Sequence, residues 1–405
     1  MELSHGFHVS NGDTLLHPRF CVAIQAHGQA RPGPLRALIY LDANATEPLR
    51  PAARAAVLAA LETVGNPSSV HRAGRSARRI LEDAREAIAR RFGAGPAAVV
   101  FTSGGTEADA LAVHALAHRS GLRVIVGATE HDAIRAAAPG AAVLPVDADG
   151  VADLAALEVL LADGGPALVC LMLANNETGV IQPIAEAGTI CRRHGARLHV
   201  DAVQAAGRIP VDLAVLGAAS LALSSHKLGG PQGAGALLLA PELASIAPLI
   251  AGGGQERGRR GGTPALPAIA GFAAAALAAP PESAGIAALR DALEDAAAAA
   301  GAAPVAARVA RLANTSCLAL PGVRADAQVI ALDLAGFAVS AGAACSSGKV
   351  AASHVLAAMG LGALAGEAIR VSLPWNVRPA DVRAFATAYA AMAARLRPAL
   401  AAHPA

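Results

Sequence analysis

Between Val99 and Leu239, short near-continuous apolar runs alternate with segments of helical periodicity, and this alternation constrains the fold more than any other feature. The strand-like runs are Val99–Thr102, Arg123–Val126, Ala142–Val146, Ala167–Leu173, Arg197–Val200, Ser220–Leu223 and Gly235–Leu239. Helical patterns precede or separate them at Arg72–Phe92, Thr106–Arg119, Asp153–Leu161 and Pro183–His194. A strand that shows no polar face is buried on both sides, and amphipathic helices are the usual cover. The expected fold class is therefore α/β, with a large domain built on a mainly parallel, seven-stranded sheet.

Beyond an apolar, alanine-rich segment at Ala265–Ala279, read as a buried helix, and the turn-prone Pro280-Pro281-Glu282-Ser283, the pattern changes. Helices near Gly285–Ala300, Ala325–Ala335 and Pro379–Leu396 alternate with shorter strands near Thr315–Leu320 and Ile369–Leu373, which predicts a smaller α+β domain. The expected division is 38–52 as an N-terminal segment of the small domain, 53–275 as the large domain and 276–405 as the small C-terminal domain. Residues 1–37 lack periodicity and end in Arg31-Pro32-Gly33-Pro34; they read as an N-terminal extension, either disordered or an artefact of start-site choice.

Several function classes drop out early. With 54% hydrophobic and 16% charged residues the chain is not of disordered composition, and no 18-residue span is apolar enough to cross a membrane. The formal charge is +2, aromatic residues make up 2%, and no basic run stands out, so nucleic acid is not an expected partner. Five cysteines without a C-x-x-C pair predict neither a disulfide framework nor a structural zinc site. Met1–Phe20 lacks the apolar core of a signal peptide, and a reducing cytoplasm is the expected compartment.

Of 33 basic residues only Lys227 and Lys349 are lysine; the rest are arginine. Arginine stays protonated, whereas a desolvated lysine amine can form a Schiff base. Ligands in open α/β sheets bind beyond the carboxyl ends of strands, and those ends give a short inventory. After Val99–Phe101 comes Thr102-Ser103-Gly104-Gly105-Thr106-Glu107, a candidate anion cradle or an ordinary capped turn. After Val200 come Asp201 and Gln204, an acid for a protonated ring nitrogen and an amide for a neighbouring oxygen, or a simple cap. After Leu223 comes Ser224-Ser225-His226-Lys227-Leu228-Gly229-Gly230. Thr129-Glu130-His131 and Asn175-Asn176-Glu177-Thr178-Gly179 follow two further strands. Phosphate anchor, ring acid and Schiff-base amine at successive strand ends together describe a pyridoxal 5'-phosphate site.

Ten motifs in order carry a family likeness. They are Tyr40–Thr46, Gly65-Asn66-Pro67-Ser68-Ser69 with His71, Phe101–Glu107, Thr129–His131, Asn175–Gly179 and His199–Ala202 with Gln204. Ser225–Lys227, Gly252–Arg257 with Gly262-Thr263-Pro264, Ser340–Ser347 and Ile369–Leu373 complete the set. Over residues 39 to about 397 the chain resembles a cysteine desulfurase of the class V aminotransferase family, of the group with a long mobile cysteine loop. The resemblance implies the type I fold of pyridoxal-phosphate enzymes and a homodimer. It implies that Lys227 holds the coenzyme covalently and moves protons, that Asp201 pairs with the ring nitrogen, and that His131 stacks on the ring. Asn176 and Gln204 would face the phenolic oxygen, with Asn176 also near the substrate. Gly105, Thr106, Ser224 and His226 would hold the phosphate, with Thr263 reaching it from the partner subunit. Arg370 would clamp the substrate carboxylate.

Cys345 carries the implied reaction, because its loop from Ser340 to Val350 is rich in Gly, Ala and Ser and lacks a bulky anchor. Its thiolate would take sulfur from L-cysteine, leave L-alanine, and pass the persulfide to a sulfur acceptor or an iron–sulfur scaffold protein. Cys345 is also a candidate transient cluster ligand shared with that scaffold. Cys170, Cys191 and Cys317 read as small buried apolar residues. Two other readings stand beside this one: a selenocysteine lyase or another class V aminotransferase, and a weakly active binding subunit that needs an activator protein. Against the commonest family pattern, Glu47 replaces a second Thr and Ser225 replaces a Gly; a short stretch after the last helix departs from longer-tailed members.

Overall fold

The computed structural model describes residues 38–162, 164–243, 245–280, 284–342 and 352–401. The expected extension over 1–37 and the segment 343–351, which holds Cys345 and Lys349, lie outside the described residues.

The chain enters through β1 (Ile39–Tyr40), followed by α1 (Pro51–Leu61) and α2 (Arg72–Arg91). In α2, Ala77, Leu81, Ala84 and Ile88 recur every three or four residues and all are buried, which is the stripe a surface helix lays on a core. His71 caps it, its ring nitrogen accepting the Gly74 N–H at 3.2 Å. There follow β2 (Val99–Thr102), α3 (Gly105–Leu116), β3 (Arg123–Gly127), α4 (Asp132–Ala137), β4 (Ala142–Leu144) and α5 (Leu154–Ala162). Then come β5 (Ala167–Met172), α6 (Ile184–Arg193), β6 (Arg197–Asp201), β7 (Ser220–Ser224) and β8 (Gly235–Leu239).

Strands β2 to β8 form one seven-stranded sheet in the order β2-β8-β7-β6-β5-β3-β4. Only β8 runs antiparallel to its neighbours; the other pairs are parallel. The expected mainly parallel sheet is borne out. Alternate residues feed opposite cores: Val99, Phe101, Val169 and Leu171 join one cluster, while Val100, Leu168 and Cys170 join the other. Both faces are dry, which is why the strand sequences show no polar alternation.

The buried helix expected at 265–279 is α7 (Leu266–Ala278), which packs on α1. Gly271 permits the close approach, since a Cβ there would sit 2.6 Å from Val57 Cγ2. The chain continues through α8 (Ala284–Ala299), β9 (Ala303–Pro304), β10 (Thr315–Ala319), α9 (Ala325–Leu334), β11 (Phe337–Ala338) and β12 (Ser340–Ala341). It closes with α10 (His354–Ala358), β13 (Ala368–Ser372) and α11 (Pro379–Ala401). A second, antiparallel sheet has the order β12-β13-β10-β9.

A separate apolar cluster around Leu318, Leu332, Ile369, Phe385 and Tyr389 supports that sheet, and Leu41 from the start of the chain belongs to it. The N-terminal segment is tied there by β1, which pairs in parallel with β11, and by a bridge from Asp42 to Ser372. This return carries Asp42–Thr46 to the sheet edge where β5, β6 and β7 end. Among the described residues no helix is long and apolar enough to cross a membrane.

Candidate active site

Parallel register aligns Met172 of β5 with Asp201 of β6, and Asp201 with Ala222 two residues before the end of β7. The ends of these strands, the first turn of α3 and the returning N-terminal segment enclose a cavity of about 300 Å³. Its wall includes Gly105, Thr106, His131, Asn176 and Asp201, and on the other side Gln204, Ser224, His226, Lys227 and Arg370.

At one end α3 begins on Gly105. The first backbone N–H groups of a helix lack intrahelical partners and attract anions. A Cβ at Gly105 would lie 2.7 Å from Val203 Cγ2, so a side chain there would have to displace the neighbouring wall. Ser224 at the end of β7 and His226 in the turn after it flank the same cavity. Burial, then the adjacent Lys227 charge, hold His226 down to about 4, so it is neutral at neutral pH, and its Nδ1 lies 3.1 Å from Thr46 Oγ1.

Asp201 closes β6 and is buried; its Oδ1 accepts the Val203 N–H at 2.8 Å. Burial first, and then the nearby Asp109 carboxyl, push Asp201 up to about 7. Asp109 itself is driven up to about 8 by burial. Behind it His199 bridges Asp109 Oδ1 at 3.1 Å and Ser220 Oγ at 2.8 Å, and burial holds this imidazole down to about 4. His131 sits at the N-terminus of α4, where its Nδ1 accepts the Ala133 N–H at 3.1 Å and fixes the ring.

Lys227 Nζ donates to the Asn44 carbonyl at 2.6 Å, and Gln204 Nε2 donates to the same oxygen at 3.0 Å. Asn44 is in turn locked by its own amide, which donates to Thr315 Oγ1 at 2.9 Å and to the Asn176 carbonyl at 3.1 Å. Arg370 lines the cavity with its fork engaged: Nη2 meets Asp42 Oδ1 at 2.8 Å and Nη1 donates to the Asn176 carbonyl at 3.1 Å. Its buried Nε has no hydrogen-bond partner. Thr263 does not join this cavity. It lines another, of about 100 Å³, with Ser103, Glu256 and Arg260.

The Aminotransferase class-V family model matches residues 39–385. The chain is 40% identical over 372 residues to an IscS-like cysteine desulfurase of Mycobacterium tuberculosis, covering 86% of this chain and 94% of that protein. It is 42% identical over 360 residues to a cysteine desulfurase of Cereibacter sphaeroides, covering 85% and 92%. The structure of a NifS-like protein from Rickettsia africae superposes with a TM-score of 0.81 at 36% identity, covering 88% of this chain and 99% of that one. The chain belongs to the cysteine desulfurases of the class-V aminotransferase family.

In this desulfurase, nine of the residues the sequence points to besides Lys227 share one cavity with it, and Thr263 stands apart. Asp109 and Asn44 were not singled out. Asp109 had a signal, since it lies one helical turn beyond Gly105 and Thr106 on the face that opens to the cavity. Asn44 lies within the Tyr40–Thr46 motif, but nothing in its side chain signals a role, because it meets Lys227 through its backbone oxygen. Each cysteine among the described residues is buried, as expected for Cys170, Cys191 and Cys317. Burial pushes the Cys191 and Cys317 thiols up to about 12 and raises Cys170 well above its ordinary value, so none is a thiolate at neutral pH.

Proposed function

We propose that this desulfurase uses pyridoxal 5'-phosphate to take sulfur from L-cysteine, yielding L-alanine and a persulfide on Cys345. The observation that carries the reading is the convergence of one lysine amine, the buried acids Asp109 and Asp201 and one helix N-terminus on a single cavity of about 300 Å³. The chemistry of these groups fits the coenzyme. The Gly105 cradle suits a phosphate, and the Asp201 carboxyl, pushed up by burial and then by the neighbouring Asp109, makes a site that favours a cation such as a protonated ring nitrogen.

When bound, the coenzyme supplies an electron sink that makes the substrate α-proton labile. Lys227 would be the covalent anchor and the amine that carries that proton. Asp201 would hold the ring nitrogen protonated, His131 would cover the ring, and Asn176 and Gln204 would serve its phenolic oxygen. Gly105, Thr106, Ser224 and His226 would hold the phosphate, and Arg370 would receive the substrate carboxylate once its fork exchanges Asp42 for it. The Cys345 thiolate forms the S–S bond as the substrate Cβ–S bond breaks. The sulfur leaves as Cys–S–SH, and the carbon fragment gains a proton to become alanine. An acceptor thiol or an iron–sulfur scaffold protein then takes the sulfane sulfur, with Cys345 as the shared ligand.

The same proposal includes a cytoplasmic homodimer in which Thr263 completes the partner's phosphate site, and the division into segments 38–52, 53–275 and 276–405. Large apolar side chains left exposed between 58 and 70, Leu58, Leu61, Val64 and Val70, support a second copy as the cover.

Purified protein loaded with coenzyme and given L-cysteine with excess dithiothreitol is expected to release alanine and sulfide in equal amounts. Lys227→Ala loses the visible absorption of the bound coenzyme, whereas Cys345→Ala keeps it and releases no sulfide. Sulfide release by Cys345→Ala at the wild-type rate overturns the persulfide step.

A further inference from the structure

Gln204 lines the cavity with its amide, but the group that orients it lies behind the wall. Arg208 is buried, and its Nη1 donates to Gln204 Oε1 at 2.6 Å and to the Gln204 carbonyl at 2.9 Å. Its Nη2 donates to Glu47 Oε2 at 3.1 Å. Glu47 is buried as well, and its other oxygen accepts the Trp375 N–H at 2.8 Å. Arg208 and Glu47 line a separate cavity of about 340 Å³ and do not reach the one that holds Lys227.

A guanidinium has five N–H donors and no acceptor, so the amide atom that faces Arg208 must be the oxygen. The NH2 end is then forced to the opposite side, where it meets the Asn44 carbonyl beside Lys227. Glu47 keeps Arg208 in place, since a buried guanidinium needs a paired carboxylate. Its position is the one where this sequence departs from the family's second Thr, a side chain too short and too neutral for that work.

We infer that the Glu47–Arg208 pair is a positioning device that locks Gln204 in one amide orientation, so that Gln204 presents only a hydrogen-bond donor to the ring oxygen of the coenzyme. The inference rests on the coenzyme reading given above. A donor fixed at that oxygen favours its ionised form and lowers the pH at which the bound coenzyme's visible band titrates. An amide free to turn would present its own oxygen part of the time and lose that effect.

The test is a pH titration of the visible band in holoenzyme. The double variant Glu47→Gln/Arg208→Met removes both buried charges together, which avoids stranding either one. Its midpoint is expected to rise by about one pH unit, the worth of roughly one hydrogen bond to an ionised group. Arg208→Gln, which can show Gln204 either an acceptor or a donor, is the second arm and shifts the midpoint the same way. In a Gln204→Leu background, which has the raised midpoint already, the pair substitution adds nothing. A midpoint that stays at the wild-type value with the band intact overturns the inference, and so does an undiminished shift in the Gln204→Leu background. If the wild-type protein takes up no coenzyme and shows no band, the coenzyme reading itself fails.

Discussion

At the scale of single residues, the cavity beside Lys227 holds ionisable groups away from water. Asp109 and Asp201 both bind protons more readily in the folded chain than in water, up to about 8 and about 7. Between the ordinary Asp range near 4 and those values the folded state therefore holds more protons than the unfolded state, and stability falls as pH rises. His199 acts with the opposite sign over a narrower window, from about 4 to its ordinary value of about 6.5, because there only the unfolded chain is protonated. Asp109→Asn keeps a polar partner for His199 and removes one buried charge. In coenzyme-free protein it is expected to raise the melting temperature at pH 8 clearly more than at pH 5; a gain of equal size at both would contradict the assignment. Glu47 shows how an apparent irregularity at one position becomes intelligible once Arg208, far along the chain, is seen against it.

At the scale of elements, the segment from Gly252 to Thr263 is held by a buried ion pair. Glu256 and Arg257 have φ of 49° and 59°, a region that costs a non-glycine residue about 1 kcal/mol or more. Glu256 offsets this by accepting two bonds from Arg85, at 2.7 and 2.8 Å, and the Phe101 N–H at 2.9 Å. The carboxylate thereby ties the loop to α2 and to the β2 strand that leads into the Gly105 turn. Glu256→Ala leaves the Arg85 guanidinium buried and partly unpaired, and is expected to cost about 3 kcal/mol in urea unfolding. Combining it with Arg85→Met should recover much of that loss. A cost below about 0.5 kcal/mol for the single variant, the range of ordinary surface changes, would show that the loop is held by other contacts.

At the scale of the whole molecule, Thr263 raises the question of which chain it serves, since in its own chain it lines a cavity apart from Lys227. The homodimer proposal makes a quantitative statement here. Lys227→Ala and Thr263→Ala homodimers are each impaired, the second through coenzyme affinity weakened by about tenfold for one lost bond to an ionised phosphate. A hybrid of the two contains one site with both residues intact. Mixed and separated hybrids are therefore expected to recover near half the wild-type desulfurase rate at limiting coenzyme. Hybrids no better than the mean of the parents would place Thr263 in its own chain's function or in none.

Much of the architecture was legible because burial on both faces leaves a simple signature. Strands β2, β3, β5, β6, β7 and β8 lie where continuous apolar runs predict them, within a residue or two at their ends. Ser224 and Lys227 could be read as site residues because parallel strands direct their carboxyl ends to one edge. The antiparallel setting of β8, the short helices α4 and α10, and the two-residue strands had no such signature, because pairing partners and not side-chain pattern define them. The amino-acid order by itself determined which chemical groups stand at the strand ends, since covalent neighbours and hydrophobic period are local facts. Only the tertiary structure decided how those groups are tuned and aimed. The pairing of Arg208 with Glu47, the carboxyl of Asp109 beside Asp201, and the Asn44 carbonyl at Lys227 depend on distances between residues far apart in the chain, which burial and packing alone set.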